Sequence, residues 1–218
     1  MGTSRCHNRP VQRVAILIFD DVEVLDFCGP FEVLASARVP GDAPRSERPR
    51  AFEVFTVTAK PGIVTCRGGL RVEPTYSFAD CPRPDILVIP GGYGVETARR
   101  DPAIVAWVRD RSAEATLTTS VCTGAFLLAQ AGLLDGQPAT THWAEIAAFR
   151  REFPAIDVRD DHRIVDLGPI ITSAGVSAGL DMALHLINRV HGEAAARETA
   201  RSIEYRWEPV PTLVASPN

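Results

Sequence analysis

The chain has 218 residues, 45% of them hydrophobic and 23% charged, an ordinary globular composition for one large domain or two small ones. A formal charge of −4 argues against the basic face that nucleic-acid binding requires. Five cysteines, an odd count without CxxC spacing, argue against a disulfide framework or a zinc site.

"MGTSRCHNRPVQR" opens the chain as a polar, basic tail. The "VAILIF" run that follows, Val14–Phe19, is too short for a signal or membrane-spanning segment. A cytoplasmic, reducing location without a membrane partner is therefore expected, where a free thiolate survives. That run itself predicts a strand buried on both faces, as in a parallel sheet. In "DDVEVLDFCGPFEVLASA", Pro30 predicts the first turn of a helix continuing through Phe31–Ala37. "VPGDAPRSERPR" reads as a surface loop, and the arginines (Arg45, Arg48, Arg50, Arg99, Arg100) read as solvated.

Phe52–Thr58 alternates like a strand, and "PGIVTCRGGLRVEP" predicts a small hairpin around Gly68-Gly69. Asp85–Pro90 predicts a buried strand ending in "GGYG". Asp101–Ser112 predicts an amphipathic helix with Pro102 in its first turn. Leu117–Ser120 predicts a strand and Thr123–Ala131 a helix closed by Gly132. His142–Phe153 reads as helical, "IDVRDDHRIVDLGPIITSAG" as short strands joined by a turn, and Ser177–Val190 and Glu193–Arg201 as helices. "EPVPTLVASPN" reads as a loose tail.

Strands alternating with helices predict an α/β fold, a doubly wound, mainly parallel sheet with helices on both faces. We expect one domain over residues 13–206, with tails at 1–12 and 207–218. Such sheets bind ligands beyond the carboxyl ends of their strands. Asp26, the Gly91-Gly92 loop and Cys122 each follow a buried strand, so the topology gathers them at one edge.

Cys122 stands where a strand meets a helix, with Gly124 allowing a tight turn. This is the logic of a nucleophile elbow, and a helix N-terminus favours the thiolate. The residues alone leave a second reading open, a buried structural cysteine. Cys6, Cys28, Cys66 and Cys81 lack such a setting and read as non-catalytic. "GVSAG", Gly175–Gly179, matches a serine elbow. The later acid and histidine, Asp181 and His185, lie along one helix face below Ser177, so a small-residue packing turn is the better reading. "GGYGVE" lacks the third glycine of a dinucleotide fingerprint.

"FDDVEVLDFCGPFEVL", "DILVIPGGYG", "SVCTGAFLLAQAGLLDGQPATTHW" and "ITSAGVSAGLDMALHLI" resemble the ThiJ/PfpI superfamily from about Val14 to Arg206. The superfamily fold is similar to class I glutamine amidotransferases, flavodoxin-like and often dimeric, so a homodimer is expected. Within it the chain is most similar to isonitrile (isocyanide) hydratases. A second likeness is to the amidotransferase-like domain of AraC-type regulators. The resemblance implies Cys122 as nucleophile, Asp26 as proton shuttle and a small-molecule substrate, without a cofactor or metal. It implies backbone N–H donors from Gly91, Gly92 and Thr123. PfpI-type peptidases place histidine directly after the nucleophile; here that residue is Thr123, which argues against peptidase activity. His142 and Cys28 are candidate pocket residues, Cys28 standing where the hydratases more often carry threonine. His142 also reads as a helix N-terminal or structural hydrogen-bonding residue. The expected activity is hydration of an isonitrile to an N-substituted formamide. The alternatives are a ligand- or redox-sensing domain and a glyoxalase- or deglycase-like hydrolase.

Overall fold

Strands form where branched apolar residues run on uninterrupted, and helices fill the intervals. The computed structural model describes residues 11–208, 210 and 212–214. The first half runs β1 (Gln12–Leu17), α1 (Val24–Ser36), β2 (Phe52–Thr58), β3 (Val64–Thr65), β4 (Arg71–Val72), β5 (Tyr76–Ser77), β6 (Ile86–Ile89), α2 (Val95–Ala98) and α3 (Pro102–Glu114). The second half runs β7 (Leu117–Val121), α4 (Gly124–Gln130), β8 (Pro138–Ala139), α5 (Ile146–Glu152), β9 (Asp157–Val158), β10 (Ile164–Asp166), β11 (Ile170–Ser173), α6 (Ala178–His191), α7 (Glu193–Ser202) and β12 (Thr212–Val214).

Eight strands form the main sheet in the order β12-β10-β11-β7-β6-β1-β2-β5. Every pairing is parallel except the β10–β11 hairpin. β1 is central, with Val14 opposite Val54 on one side and Ile86 on the other. Its residues Val14–Leu17 are fully buried, as a strand covered on both faces must be. From β1 the chain builds outward to β2 and β5, then returns to add β6, β7 and β11 on the other side. β1 and β6 therefore flank the point where strand order reverses, the usual place for a ligand crevice. One group of helices, α1, α6 and α7, packs together, and α2, α3 and α4 form another. The predicted hairpin is present, β3 pairing antiparallel with β4.

Four expectations need correction. Pro30 lies inside α1 rather than in its first turn, because the helix already begins at Val24. Having no N–H, Pro30 cannot bond to the Asp26 carbonyl one turn back. The C-terminal segment is not wholly loose: Thr212–Val214 pairs in parallel with β10 and Trp207 is buried. An exposed strand edge has unpaired N–H and C=O groups, and this short strand satisfies them. β1 begins at Gln12, inside the expected tail; Cys6 lies outside the described residues. Nor are the arginines all solvated. The Arg48 side chain is 10% exposed and pairs with Glu198, which ties the Pro-rich loop to α7. Arg99 is 13% exposed, paired at 2.8 Å with both Glu96 and Glu152, and lies over the Phe126 ring.

Candidate active site

β7 delivers Cys122 at its carboxyl end with a φ of +58°. The left-handed region is costly for a residue with a Cβ, and the surrounding structure imposes it. The Cys122 N–H donates to both Ser173 O (3.2 Å) and Ala174 O (3.1 Å). The Cys122 carbonyl accepts from the Thr141 hydroxyl at 2.8 Å. Gly124 is required next: a Cβ there would stand 2.1 Å from the Ile89 carbonyl oxygen. The turn is thus wedged against the end of β6. Only 6% of Cys122 is exposed.

Asp26 occupies the first turn of α1 and is fully buried. Its Oδ2 accepts the Gly91 N–H at 2.9 Å. The Cys122 thiol and the Val176 N–H also approach the carboxyl. Burial is the chief reason its carboxyl is pushed up to about 7; the nearby Glu23 charge adds, and the Gly91, Cys122 and Val176 contacts subtract. Burial likewise pushes the Cys122 thiol up to about 12, with the Asp26 charge the second cause. The Thr123 and Val176 N–H groups partly offset this at the sulfur. Carboxyl and thiol thus share a desolvated space in which the carboxyl gives up its proton well before the thiol does. The helix N-terminus and the two N–H donors favour the thiolate as expected, but desolvation outweighs what the seven-residue helix α4 and those donors supply.

The three backbone groups expected as oxyanion-type donors have different partners in the structure. Of the three, only the Thr123 N–H meets the sulfur. The Gly91 N–H is committed to Asp26 and the Gly92 N–H to Thr123 Oγ1 at 3.0 Å. The second donor at the sulfur is Val176, itself at φ +53°, in the segment that looked like a serine elbow. That resemblance is local only. Ser177 Oγ accepts from Arg163, Asp181 is held by Arg163 and Tyr205, and His185 pairs with Asp166. No Ser–His–Asp relay forms.

The two candidate pocket residues have partners of their own. Cys28 is half-buried on α1, its thiol raised by burial, and lies within electrostatic range of Cys66. The His142 ring packs on Gly175 and its Nδ1 accepts the Ala144 N–H at 3.3 Å. Sequence reasoning missed Glu23 and Arg67. Arg67 ion-pairs with Glu23 at 2.6 Å, bonds the Tyr93 hydroxyl at 3.1 Å and contributes positive potential toward Cys122. Among the described residues no group of three His, Cys, Asp or Glu side chains comes together as a metal site would require. No described helix is long and apolar enough to cross a membrane.

A cysteine at a strand–helix elbow, facing a carboxylate from the first βα unit, defines the class, and residues 12–189 match the DJ-1/PfpI family. The chain belongs to that family. It is 36% identical to the isonitrile hydratase of Pseudomonas putida over 90% of this chain and 80% of that one. It is also 36% identical to the HTH-type transcriptional regulator CdhR of Pseudomonas aeruginosa, over 66% of this chain but 43% of the regulator. A crystal structure of a ThiJ/PfpI family protein from Pseudomonas syringae superposes with a TM-score of 0.79 at 31% identity, covering 96% of this chain and 83% of that one.

Proposed function

We propose that the protein hydrates an isonitrile to an N-substituted formamide, with Cys122 as nucleophile and Asp26 as the acid–base partner. The observation that carries this reading is the Asp26 carboxyl, fully buried and in contact with the Cys122 thiol. A carboxyl pushed up to about 7 is poised to exchange protons at neutral pH.

Asp26 takes the thiol proton as sulfur attacks the terminal carbon of R–N≡C. The S–C bond forms, and Asp26 passes the proton to the same carbon, giving the covalent thioimidate R–N=CH–S–Cys122. Asp26, again a carboxylate, then removes a proton from water as its oxygen adds to that carbon. The nitrogen takes up that proton, giving R–NH–CH(OH)–S–Cys122. Collapse breaks the C–S bond, releases R–NH–CHO and returns the hydroxyl proton to sulfur through Asp26. The sum is one isonitrile plus one water, and no redox partner is needed. The Thr123 and Val176 N–H groups support sulfur whenever it carries charge. The reading includes a small-molecule substrate and a homodimer, with no nucleic-acid or membrane partner, in the cytoplasm.

The test is formamide production from a simple alkyl isonitrile by the purified protein beside Cys122→Ala. Product from the parent alone supports the proposal. Product from both variants removes the nucleophile, and product from neither removes the activity. The likeness to a regulator favours a second reading, a ligand-sensing module. Under it the isonitrile would bind without being consumed.

A further inference from the structure

Three consecutive residues after β8 grip three separate parts of the nucleophile's surroundings. The Thr140 N–H donates to Thr172 Oγ1 on β11 at 2.9 Å. The Thr141 hydroxyl donates to the Cys122 carbonyl at 2.8 Å. The His142 ring closes on Gly175, where a Cβ would stand 2.0 Å from His142 Cδ2; Gly175 leads directly into Val176. Thr140 and Thr141 are both 1% exposed, so water does not substitute for these contacts. The Thr141 bond is the one that acts on the elbow itself. With the Cys122 N–H held by Ser173 and Ala174, it fixes both peptide groups flanking a Cα at φ +58°.

We propose that Thr141 is a positioning residue for Cys122, its hydroxyl holding the elbow in the left-handed conformation that aims the sulfur at Asp26, within a brace formed by Thr140, Thr141 and His142. The proposal rests on the reading of Cys122 as the nucleophile. It gives His142 a role as a wall rather than a base: the ring seats the Gly175-Val176 turn that brings an N–H to the sulfur. Without the hydroxyl, the Cys122 peptide can rotate toward the commoner φ range, and the sulfur leaves the acid and both N–H donors.

The experiment is alkylation of Cys122 by iodoacetamide across pH, quantified by mass spectrometry on its own peptide, for Thr141→Val and Thr141→Ser. Isonitrile kinetics are measured in parallel. Thr119→Val is the control, because it removes another buried hydroxyl-to-carbonyl bond, Thr119 to Leu87 at 3.2 Å, on the same strand. The brace predicts that Thr141→Val changes the Cys122 alkylation rate about tenfold and alters its pH profile, the size expected for losing one buried hydrogen bond. It predicts a matching fall in kcat with KM changed less than about twofold. Thr141→Ser should restore wild-type behaviour, and Thr119→Val should lower the melting temperature by a similar few degrees without touching the alkylation profile. If Thr141→Val does not fold, Thr141→Ala replaces it in the same comparison. An unchanged alkylation profile, an equal change in Thr119→Val, or no rescue by serine overturns the proposal. Alkylation needs no isonitrile, so it stands or falls separately from the hydratase reading: no formamide with an intact alkylation effect sinks only the latter.

Discussion

Replacing Asp26 with asparagine separates the stability cost of the site from its chemistry. In the folded protein burial pushes the carboxyl up to about 7 from its ordinary 3.8, a difference of about 4 kcal/mol between its two protonation states. The folded state therefore binds the proton more tightly than the unfolded chain does. That contribution is fully present below about pH 4 and is lost as pH rises through 7. Asparagine keeps the shape and the acceptor for Gly91 but never ionises. Urea unfolding of both proteins between pH 5 and 8 should show Asp26→Asn gaining on the parent as pH rises, by up to about 3 kcal/mol across that interval. The variant should also lose most of its isonitrile turnover. Other carboxylates titrate alike in both proteins, so the difference curve isolates this site. Parallel stability curves would refute the claim that the charge is buried at an energetic cost.

The same substitution should act in the opposite sense on bare thiol reactivity. Asp26→Asn removes the like charge that raises the Cys122 thiol, so iodoacetamide should modify Cys122 about tenfold faster at pH 8 even as hydration fails; a slower reaction would contradict the charge assignment. Gly175→Ala forces its Cβ into the His142 ring and should cost about 1–3 kcal/mol by thermal unfolding. Adding His142→Ala should recover most of that loss, and a strictly additive double mutant would count against the contact. Asp166→Ala strips the partner from both His185 and Arg189, each bonded to it at 2.7–2.8 Å. Because those two side chains retain some solvent exposure, we expect about 2 kcal/mol of destabilisation, read from a urea midpoint. Full activity per folded molecule should remain.

The parts of the fold that were legible are those in which local sequence and tertiary demand agree. Phe52–Thr58 is a strand over the range its alternation predicts. Gly124 marks the elbow because a helix starting against the end of β6 leaves no room for a Cβ. Cys122 stands out as a reactive residue at the end of an apolar strand, whereas Asp26 is picked out by the resemblance of "LDFCGP" to the isonitrile hydratases. Val176 was not legible, since a backbone N–H has no side-chain signature and a turn in "GVSAG" suggests a serine nucleophile first. The ionisation of the site was hidden for a related reason. A sequence shows a helix beginning after Cys122, but burial, which outweighs that helix here, arises only when α1, β7 and the Gly175–Val176 turn close together. Likewise Arg48 and Arg99 look like surface charge until Glu198 and Glu152 arrive from distant segments. β12 and β5 are too short for periodicity to register, existing because a sheet edge offers them hydrogen bonds.

The burial of this pair bears on which reading of the cysteine is physically apt. Oxidation sensors use exposed thiols with substantial thiolate character, whereas Cys122 is 6% exposed with its thiol pushed up to about 12. Arg67 does not reverse this, because it is already committed to Glu23. The arrangement suits a small neutral electrophile. Such a molecule enters a desolvated space without bringing a charge that must shed its water, and the charge already present moves from Asp26 to sulfur and back as the proton moves the other way. An isonitrile meets that requirement. It is uncharged, and its reacting carbon is terminal and needs little clearance. Its product, a formamide, is neutral as well, so release restores the starting charge distribution. A charged substrate would add a second charge to a space that already disfavours one, at a cost that rises steeply as dielectric falls. The proposed reaction is therefore consistent with a buried pair in which the carboxyl is the more acidic partner, as well as with the presence of a cysteine.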